Sequence, residues 1–269
     1  MEADAPHEVP HVDAATDLPR AGVWRRWLAW LIDSIVVVLP FQTLAAVLFA
    51  MTAGTVQMDS GFFSICAPVK TVPQSLDPPP PHDPNFARVC RVTFFGATTG
   101  VILTVGRVTK EGLTTTSVSQ NYRLDSEGKP INGTSIDGIV WLVLLLYLVG
   151  MIWKTGRTLG ARCLGIRVAD AAEPGATAVP LRKIIVRYLA MAIGVAPMIA
   201  ALVYQRATKG SADAMFTADF FRWFTFAAIF AGLWMIVLIY QIARKTDPVY
   251  DRLAGTAVLR NPGVVAAGT

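Results

Sequence analysis

The chain has 269 residues, of which 53% are hydrophobic and only 16% are charged, and its mean hydropathy is +0.47. Soluble domains carry about 25% charged residues, so this composition excludes an ordinary soluble protein and indicates a chain that lies partly in lipid. The formal net charge is +5, but no basic stripe is interleaved with aromatic residues, which argues against a nucleic-acid partner.

Four apolar stretches are long enough to cross a bilayer, which takes about 20 residues per helix. They are residues 27–52, 136–153, 184–204 and 220–243. The first stretch begins too late and runs too long for a cleaved signal peptide, so we interpret it as a retained helix. The predicted fold class is an all-α transmembrane protein: a four-helix membrane bundle with a small extracytoplasmic β-rich module between helices 1 and 2.

The distribution of basic residues predicts the orientation of these helices. Arginines and lysines concentrate before the first apolar stretch, after the last one and in the segment 154–183. By the positive-inside rule, both termini and the 154–183 loop are cytoplasmic. The chain then divides into an acidic, disordered tail at 1–19, the first helix at 20–53, an extracytoplasmic loop at 54–135, the remaining membrane domain at 136–260 and a C-terminal tail at 261–269.

The extracytoplasmic loop combines a proline-rich linker with a β-rich module. The stretch DPPPPHDP (residues 77–84) favours a stiff polyproline spacer. Three glycine-broken stretches rich in Val, Thr, Ile and aromatic residues then predict three strands: VCRVTFFG, GVILTVGRVT and GLTTTSVSQNYRL. Cys66 and Cys90 lie in this loop, where a disulfide between them is a hypothesis, whereas Cys163 lies in the cytoplasmic loop and should stay reduced.

The cytoplasmic loop has two parts. The stretch TLGARCLG is short, punctuated by glycine and mixed apolar and basic, which favours a short interfacial helix. The stretch GIRVADAAEPGATAV alternates around a Pro-Gly turn, which predicts a β-hairpin.

An aspartate stands inside the first apolar stretch, in WRRWLAWLIDSIVVVLP. Asp33 follows Arg26 by seven positions, so both lie on one helix face about 10 Å apart. Insertion scales give about +2.5 to +3.5 kcal/mol for an aspartate at a helix centre, so Asp33 must be protonated, paired or turned toward a polar cavity. Three interpretations stay open: a structural anchor, a proton or cation site of a transporter, and a contact to a partner subunit or lipid headgroup.

Three motifs in this order resemble the RDD family of integral membrane proteins: AGVWRRWLAWLID, KTGRTLGARCLGIRVAD and DPVYDRLAGTAVLR. The family is named for one arginine and two aspartates, which match Arg26, Asp33 and Asp251. Arg187 resembles a recurring basic position at the start of a later helix, and Arg252 follows Asp251 directly. Tyr250 departs from the pattern, since the family often has histidine there.

The resemblance implies a multi-pass protein of a bacterial inner membrane, with transport of unidentified ligands suggested and sodium/proton antiport attributed to some members. Because Arg26 and Asp251 are expected at the same membrane level, we hypothesise that Arg26 bridges Asp33 and Asp251. Such a cluster is either structural or controls a cytoplasmic half-channel in which Asp33 titrates.

Two classes of function therefore remain. The first is a small transporter for a monovalent cation or proton, which implies a homo-oligomer because four helices rarely enclose a pathway alone. The second is a non-transporting scaffold or assembly factor that acts through its extracytoplasmic β-rich module, which we call the outer module. The sequence has no nucleophile elbow, phosphate-binding loop or metal-ligand set outside the presumed tail and linker, so we expect no enzyme, cofactor or metal.

Overall fold

A computed structural model of the chain describes residues 19–73, 76–112, 114–209 and 218–260. The predicted disordered tail, apart from residue 19, and the predicted C-terminal tail lie outside these residues. The chain forms two compact units. Unit one holds the described residues up to 32, 148–193 and those from 234 onward, and unit two holds 33–147 and 194–233.

The described residues form seven helices. They are α1 (Val23–Met51), α2 (Asp137–Thr155), α3 (Leu159–Cys163), α4 (Leu181–Ala192), α5 (Ala196–Lys209), α6 (Ala218–Ala243) and α7 (Val249–Ala254). Three of these, α1, α2 and α6, are long and apolar enough to cross a membrane, or four if α4 and α5 count as one broken span.

The described residues also form nine strands. They are β1 (Val56–Gln57), β2 (Phe63–Pro68), β3 (Phe86–Phe94), β4 (Ala97–Glu111), β5 (Thr114–Leu124), β6 (Pro130–Ile131), β7 (Thr134–Ser135), β8 (Ile166–Asp170) and β9 (Thr256–Arg260). The predicted all-α four-helix bundle is therefore wrong. Most of the strand residues lie in unit two, where β2 to β6 form a five-stranded antiparallel sheet in sequential order.

The predicted third span, residues 184–204, is not one helix. It is divided into α4 and α5 at residues 193–195. Gly194 and Pro197 explain the break, because glycine weakens a helix and proline fits only its first turn. Pro197 stands in that position of α5, whereas Pro40 lies inside an uninterrupted α1.

The sheet of unit two contains the three strands predicted from the sequence, now β3, β4 and β5, and this prediction is confirmed. Its buried core includes Leu103, Val105 and Tyr122 on the sheet, with Phe49 from the end of α1. Gln57 is fully buried and fastens the segment that follows α1 to the sheet. Its Nε2 donates to the carbonyl oxygens of Gly54 (2.7 Å) and Leu124 (2.6 Å), and its Oε1 accepts from the Val101 N–H (2.9 Å).

Unit one contains a smaller sheet in which β8 pairs antiparallel with β9. The predicted hairpin within residues 165–179 is therefore wrong, because the partner of β8 comes from the far end of the chain. Residues 19–21 extend this sheet on β9 through two backbone hydrogen bonds, Arg260 N–H to Pro19 O at 2.8 Å and Ala21 N–H to Val258 O at 3.0 Å. This sheet fixes the segment that leads into α1.

Candidate functional site

A buried ionic cluster joins three parts of unit one. Asp251, in the first turn of α7, has a fully buried side chain. Its Oδ2 accepts a hydrogen bond from the Arg26 guanidinium at 2.9 Å, and its Oδ1 accepts from the Arg187 guanidinium and, at 2.8 Å, from the Thr256 hydroxyl. The cluster therefore ties the start of α1, the middle of α4 and the start of β9 to one carboxylate.

Tyr250 completes this cluster on its other side. Its hydroxyl accepts a hydrogen bond from Arg26 at 3.2 Å, and its ring lies 5.0 Å from the Arg187 guanidinium carbon. Guanidinium groups are attracted to aromatic faces within about 6 Å of the ring centroid. Tyr250, where the family often has histidine, thus contacts both arginines, and no pattern in the sequence predicts these contacts.

Two arginines against one aspartate leave the ionic cluster with a formal charge of +1. The side chains of Arg26 and Arg187 are 11% and 9% exposed, so both charges are largely removed from water. Arg26 Nη2 is buried and has no hydrogen-bond partner among the described residues. Burying a charge is costly unless it is paired and hydrogen-bonded, so the cluster depends strongly on Asp251.

The glycine-rich motif of the 154–183 loop packs against α1 in the same unit. A Cβ built on Gly160 would lie 2.1 Å from the carbonyl oxygen of Ala29, so only glycine allows this approach. The Thr158 hydroxyl caps α3 by accepting from the Ala161 N–H at 3.1 Å, and Arg25 donates to Leu164 O at 2.8 Å. The motif therefore serves as the packing surface for the beginning of α1.

A second ion pair supports the small sheet of unit one. Lys183 donates to Asp170 Oδ1 at 2.5 Å, and the Ala172 N–H donates to the same oxygen at 2.9 Å. Burial raises the pKa of Asp170, but these hydrogen bonds and the positive charge of Lys183 outweigh burial, so the pKa lies below its ordinary value. Asp170 therefore stabilises the fold as a carboxylate.

Asp33 belongs to unit two, where its side chain is 2% exposed. The Tyr147 hydroxyl of α2 donates to Asp33 Oδ1 at 2.9 Å. Each residue stands ten positions after the first residue of its helix, or about 15 Å along the helix axis. This polar pair thus links two apolar helices at a depth well inside each span.

The predicted site residues fall into separate groups. Arg26, Asp251 and Arg187 meet in the ionic cluster, while Arg252 is exposed in the last turn of α7. The bridge from Arg26 to Asp33 stays a prediction. Cys66 and Cys90 form a disulfide that joins the paired strands β2 and β3, and Cys163 is a free, exposed thiol.

Sequence reasoning missed Tyr147 and Thr256 as partners of the two aspartates. A tyrosine in an otherwise apolar span was a signal for the first, because a buried hydroxyl needs a hydrogen-bond partner. No comparable signal pointed to Thr256. Among the described residues, no group of three or more His, Cys, Asp or Glu side chains could hold a metal ion.

Comparison with known protein families matches residues 91–255 to the RDD family, and the match includes Asp251 and the glycine-rich loop. It begins after α1, so Arg26 and Asp33 precede it. The match covers more than half of the 269 residues. The chain is therefore a member of the RDD family and an integral membrane protein. Comparisons with curated proteins and with solved structures give no match.

Proposed function

We propose that the protein is a small membrane transporter that moves a proton or a monovalent cation, with Asp33 as the exchange site. The observation that carries the proposal is the buried carboxylate of Asp33 inside α1, hydrogen-bonded to Tyr147 of α2. An acidic group inside a span is costly, and in membrane proteins such groups mark ion pathways and proton relays.

The Tyr147 hydroxyl suits an acid that changes its protonation state. A hydroxyl donates to an ionised carboxylate, and it accepts a hydrogen bond when the carboxyl is protonated. The pair can therefore persist in both states, with the hydroxyl reversing its role. Binding of a cation at Asp33 would displace the proton from the same oxygen atoms, which is the exchange that an antiporter requires.

In this proposal the ionic cluster of Arg26, Asp251 and Arg187 has a structural role. It holds α1 against the C-terminal segment through a buried carboxylate that accepts three hydrogen bonds. We propose a homo-oligomer, since one chain offers at most four spans among its described residues. The basic residues at both ends and in the 154–183 loop support a cytoplasmic location for those segments. Membership in the RDD family supports a bacterial inner membrane as the location.

Cation-dependent proton flux into vesicles containing the purified protein tests the proposal. Asp33→Asn should abolish the flux, and Tyr147→Phe should reduce it and shift its pH dependence. Ser34→Ala is the matched control, because Ser34 Oγ lies at the same depth, is buried and has no hydrogen-bond partner among the described residues. Flux that survives Asp33→Asn, in protein that remains folded, contradicts the proposal.

The outer module supports a second candidate function, that of a non-transporting scaffold. Two of its strands, β2 and β3, are joined by the Cys66–Cys90 disulfide. Its core includes Phe49 of α1, and Gln57 bonds the segment that follows α1 to the sheet, so the module is held next to a membrane-spanning helix. All six residues of the edge strand β2 are exposed, and exposed edge strands can pair with another chain. Absence of flux from the wild-type protein, together with a photo-crosslinker at Ile65 that captures one defined protein in cells, would favour this function.

A further inference from the structure

Four phenylalanines lie at one end of the five-stranded sheet β2 to β6, which we call the outer sheet. They are Phe62, Phe63, Phe94 and Phe95, and we name them the aromatic tip. Phe62, Phe63 and Phe95 are 53%, 63% and 88% exposed. The Phe94 ring lies 6.2 Å from that of Phe62 and 4.7 Å from that of Phe95, measured between ring centroids. Phe62, Phe94 and Phe95 therefore form a contiguous apolar surface, and the exposed side chain of Phe63 follows Phe62 directly.

Phe95 stands at an unfavourable backbone position. It and Gly96 form the two-residue turn between β3 and β4, with φ values of 46° and 85°. Positive φ is rare for a bulky residue, and such turns favour Asn-Gly or Gly-Gly. The sequence thus places a large apolar side chain at the most exposed point of a turn where a small polar residue would be more stable.

Hydrogen bonds place the aromatic tip close to the membrane-spanning part of α1 and α2. The carbonyl oxygen of Ser60, two residues before Phe62, accepts from the Gln42 amide of α1 at 2.8 Å. The Ser60 N–H donates to Asp137, the first residue of α2, at 3.1 Å. Ser60 therefore lies level with the beginning of α2 and with a point on α1 nine residues before that helix ends.

The lengths of the two helices locate this level in the bilayer. From Gln42 back to Trp24 is 18 residues, or about 27 Å, and from Asp137 to Trp153 is 16 residues, or about 24 Å. The hydrocarbon core is about 30 Å thick, and tryptophans favour its boundary. With Trp24 and Trp153 at one boundary, the Ser60 level falls at or just inside the other boundary.

The apolar surface of α1 continues past that level. Leu44 and Val47, beyond Gln42, are 46% and 49% exposed. Large apolar patches on protein surfaces mark sites of protein or membrane interaction, and here the adjoining surface is one that faces lipid. Gly61 packs beside Val92 of β3, and Phe62 follows Ser60 by two residues, so its backbone lies within about 7 Å of this level.

From this geometry we propose that the aromatic tip inserts into the bilayer leaflet on the side of the outer module. The partner is the lipid itself, and the phenylalanine rings lie in the boundary between headgroups and acyl chains. The disulfide between Cys66 and Cys90 holds β2 beside β3, which keeps the two pairs of phenylalanines together. The outer sheet thereby gains a third attachment to the membrane, besides α1 and α2, and the proposal is independent of transport.

Spin-label accessibility in the full-length protein tests this insertion. The label is attached to Phe95→Cys in a Cys163→Ser background, in vesicles of phosphatidylcholine and phosphatidylglycerol. Lys110→Cys is the matched control, because Lys110 is exposed near the far end of β4, the strand that begins directly after the Phe95–Gly96 turn. One label per chain confirms that the native disulfide is intact, and Phe62→Cys provides a second position if Phe95→Cys does not fold.

The proposal predicts that the labels at positions 95 and 110 differ in which relaxation reagent reaches them. The label at position 95 should be relaxed more by oxygen, which concentrates in lipid, than by a water-soluble nickel complex, and the label at position 110 should show the opposite. Equal access to the nickel complex at both positions overturns the proposal. Protection of position 95 from both reagents also overturns it, since that result indicates a tip covered by protein.

Discussion

Replacing Asp251 with asparagine should be among the most destabilising single changes in unit one. The substitution keeps the size of the side chain but removes its charge, and the formal charge of the ionic cluster rises from +1 to +2. Arg26 and Arg187 are about nine-tenths buried, so neither charge can be fully hydrated in place. Breaking a buried ion pair by neutralising one partner costs about 3 to 5 kcal/mol, and we expect a loss of that size.

A double substitution separates this explanation from a simple loss of packing. Arg187→Met in the Asp251→Asn background returns the formal charge of the cluster to +1. The double variant should therefore be less destabilised than the sum of the two single variants, by about 0.5 to 3 kcal/mol, the range found for contacting residues. Exchanging Arg26 and Asp251 is a weaker test, because the exchanged arginine would lie beside Arg187.

The assay is the free energy of unfolding in mixed micelles titrated with a denaturing detergent. Asp247→Asn is the matched control, since the side chains of Asp247 and its partner Arg20 are 21% and 24% exposed. Pairs with more access to water contribute about 0 to 1 kcal/mol. If Asp251→Asn loses no more stability than Asp247→Asn, or if the double variant is strictly additive, the argument from buried charge is refuted.

Three further predictions follow from local geometry. Gly160→Ala should destabilise the protein by about 1 to 3 kcal/mol, because its Cβ would overlap a backbone oxygen of α1, while Gly150→Ala, in open space within α2, should be neutral or slightly stabilising in the same unfolding assay. Asp170 stabilises the fold as a carboxylate with a lowered pKa, so the stability difference between wild type and Asp170→Asn should be complete above pH ~4 and shrink as the pH falls through the lowered value; a difference unchanged at low pH contradicts this. Phe95→Asn should stabilise the outer module in detergent by about 1 kcal/mol, because asparagine tolerates positive φ, and hydrogen exchange of β3 and β4 measures the effect.

The sequence was most informative where one physical signal dominates. Continuous apolar runs predicted α1, α2 and α6, because only a helix satisfies its backbone within lipid. β-branched and aromatic runs between glycines predicted β3 to β5. The arginine and aspartate motifs predicted membership in the RDD family, which the match over residues 91–255 confirms.

Long-range pairing was not predictable in the same way. Ile166–Asp170 has the alternation of a strand, but its partner Thr256–Arg260 lies near the other end of the chain. The nearby Pro-Gly turn favoured a local hairpin instead. Similarly, a hydropathy profile does not show where a helix is interrupted. The profile therefore predicted one span where Gly194 separates α4 from α5.

The same difference between local signals and long-range contacts applies to the candidate site. Asp33 was recognisable because a carboxylate is conspicuous among apolar residues, and Asp251 because it lies in a motif. Tyr147 was detectable as a hydroxyl within an apolar span, whereas Thr256 is an ordinary residue whose hydroxyl acquires a role only through packing. The role of Gly160 likewise depends on a backbone oxygen of α1, which no local pattern reveals.

An infrared measurement of the Asp33 carboxyl in vesicles, taken as the difference between wild type and Asp33→Asn, tests whether Asp33 is the exchange site. If Asp33 is that site, the wild type should show a protonated-carboxyl band that declines as the pH rises or as a transported cation is added, and the variant should lack this band. Tyr147→Phe should shift the frequency of this band, because it removes the hydrogen bond to Asp33 Oδ1. A carboxyl signal from Asp33 that responds neither to pH nor to any monovalent cation would rule out an exchange site there and leave Asp33 as a structural link between α1 and α2.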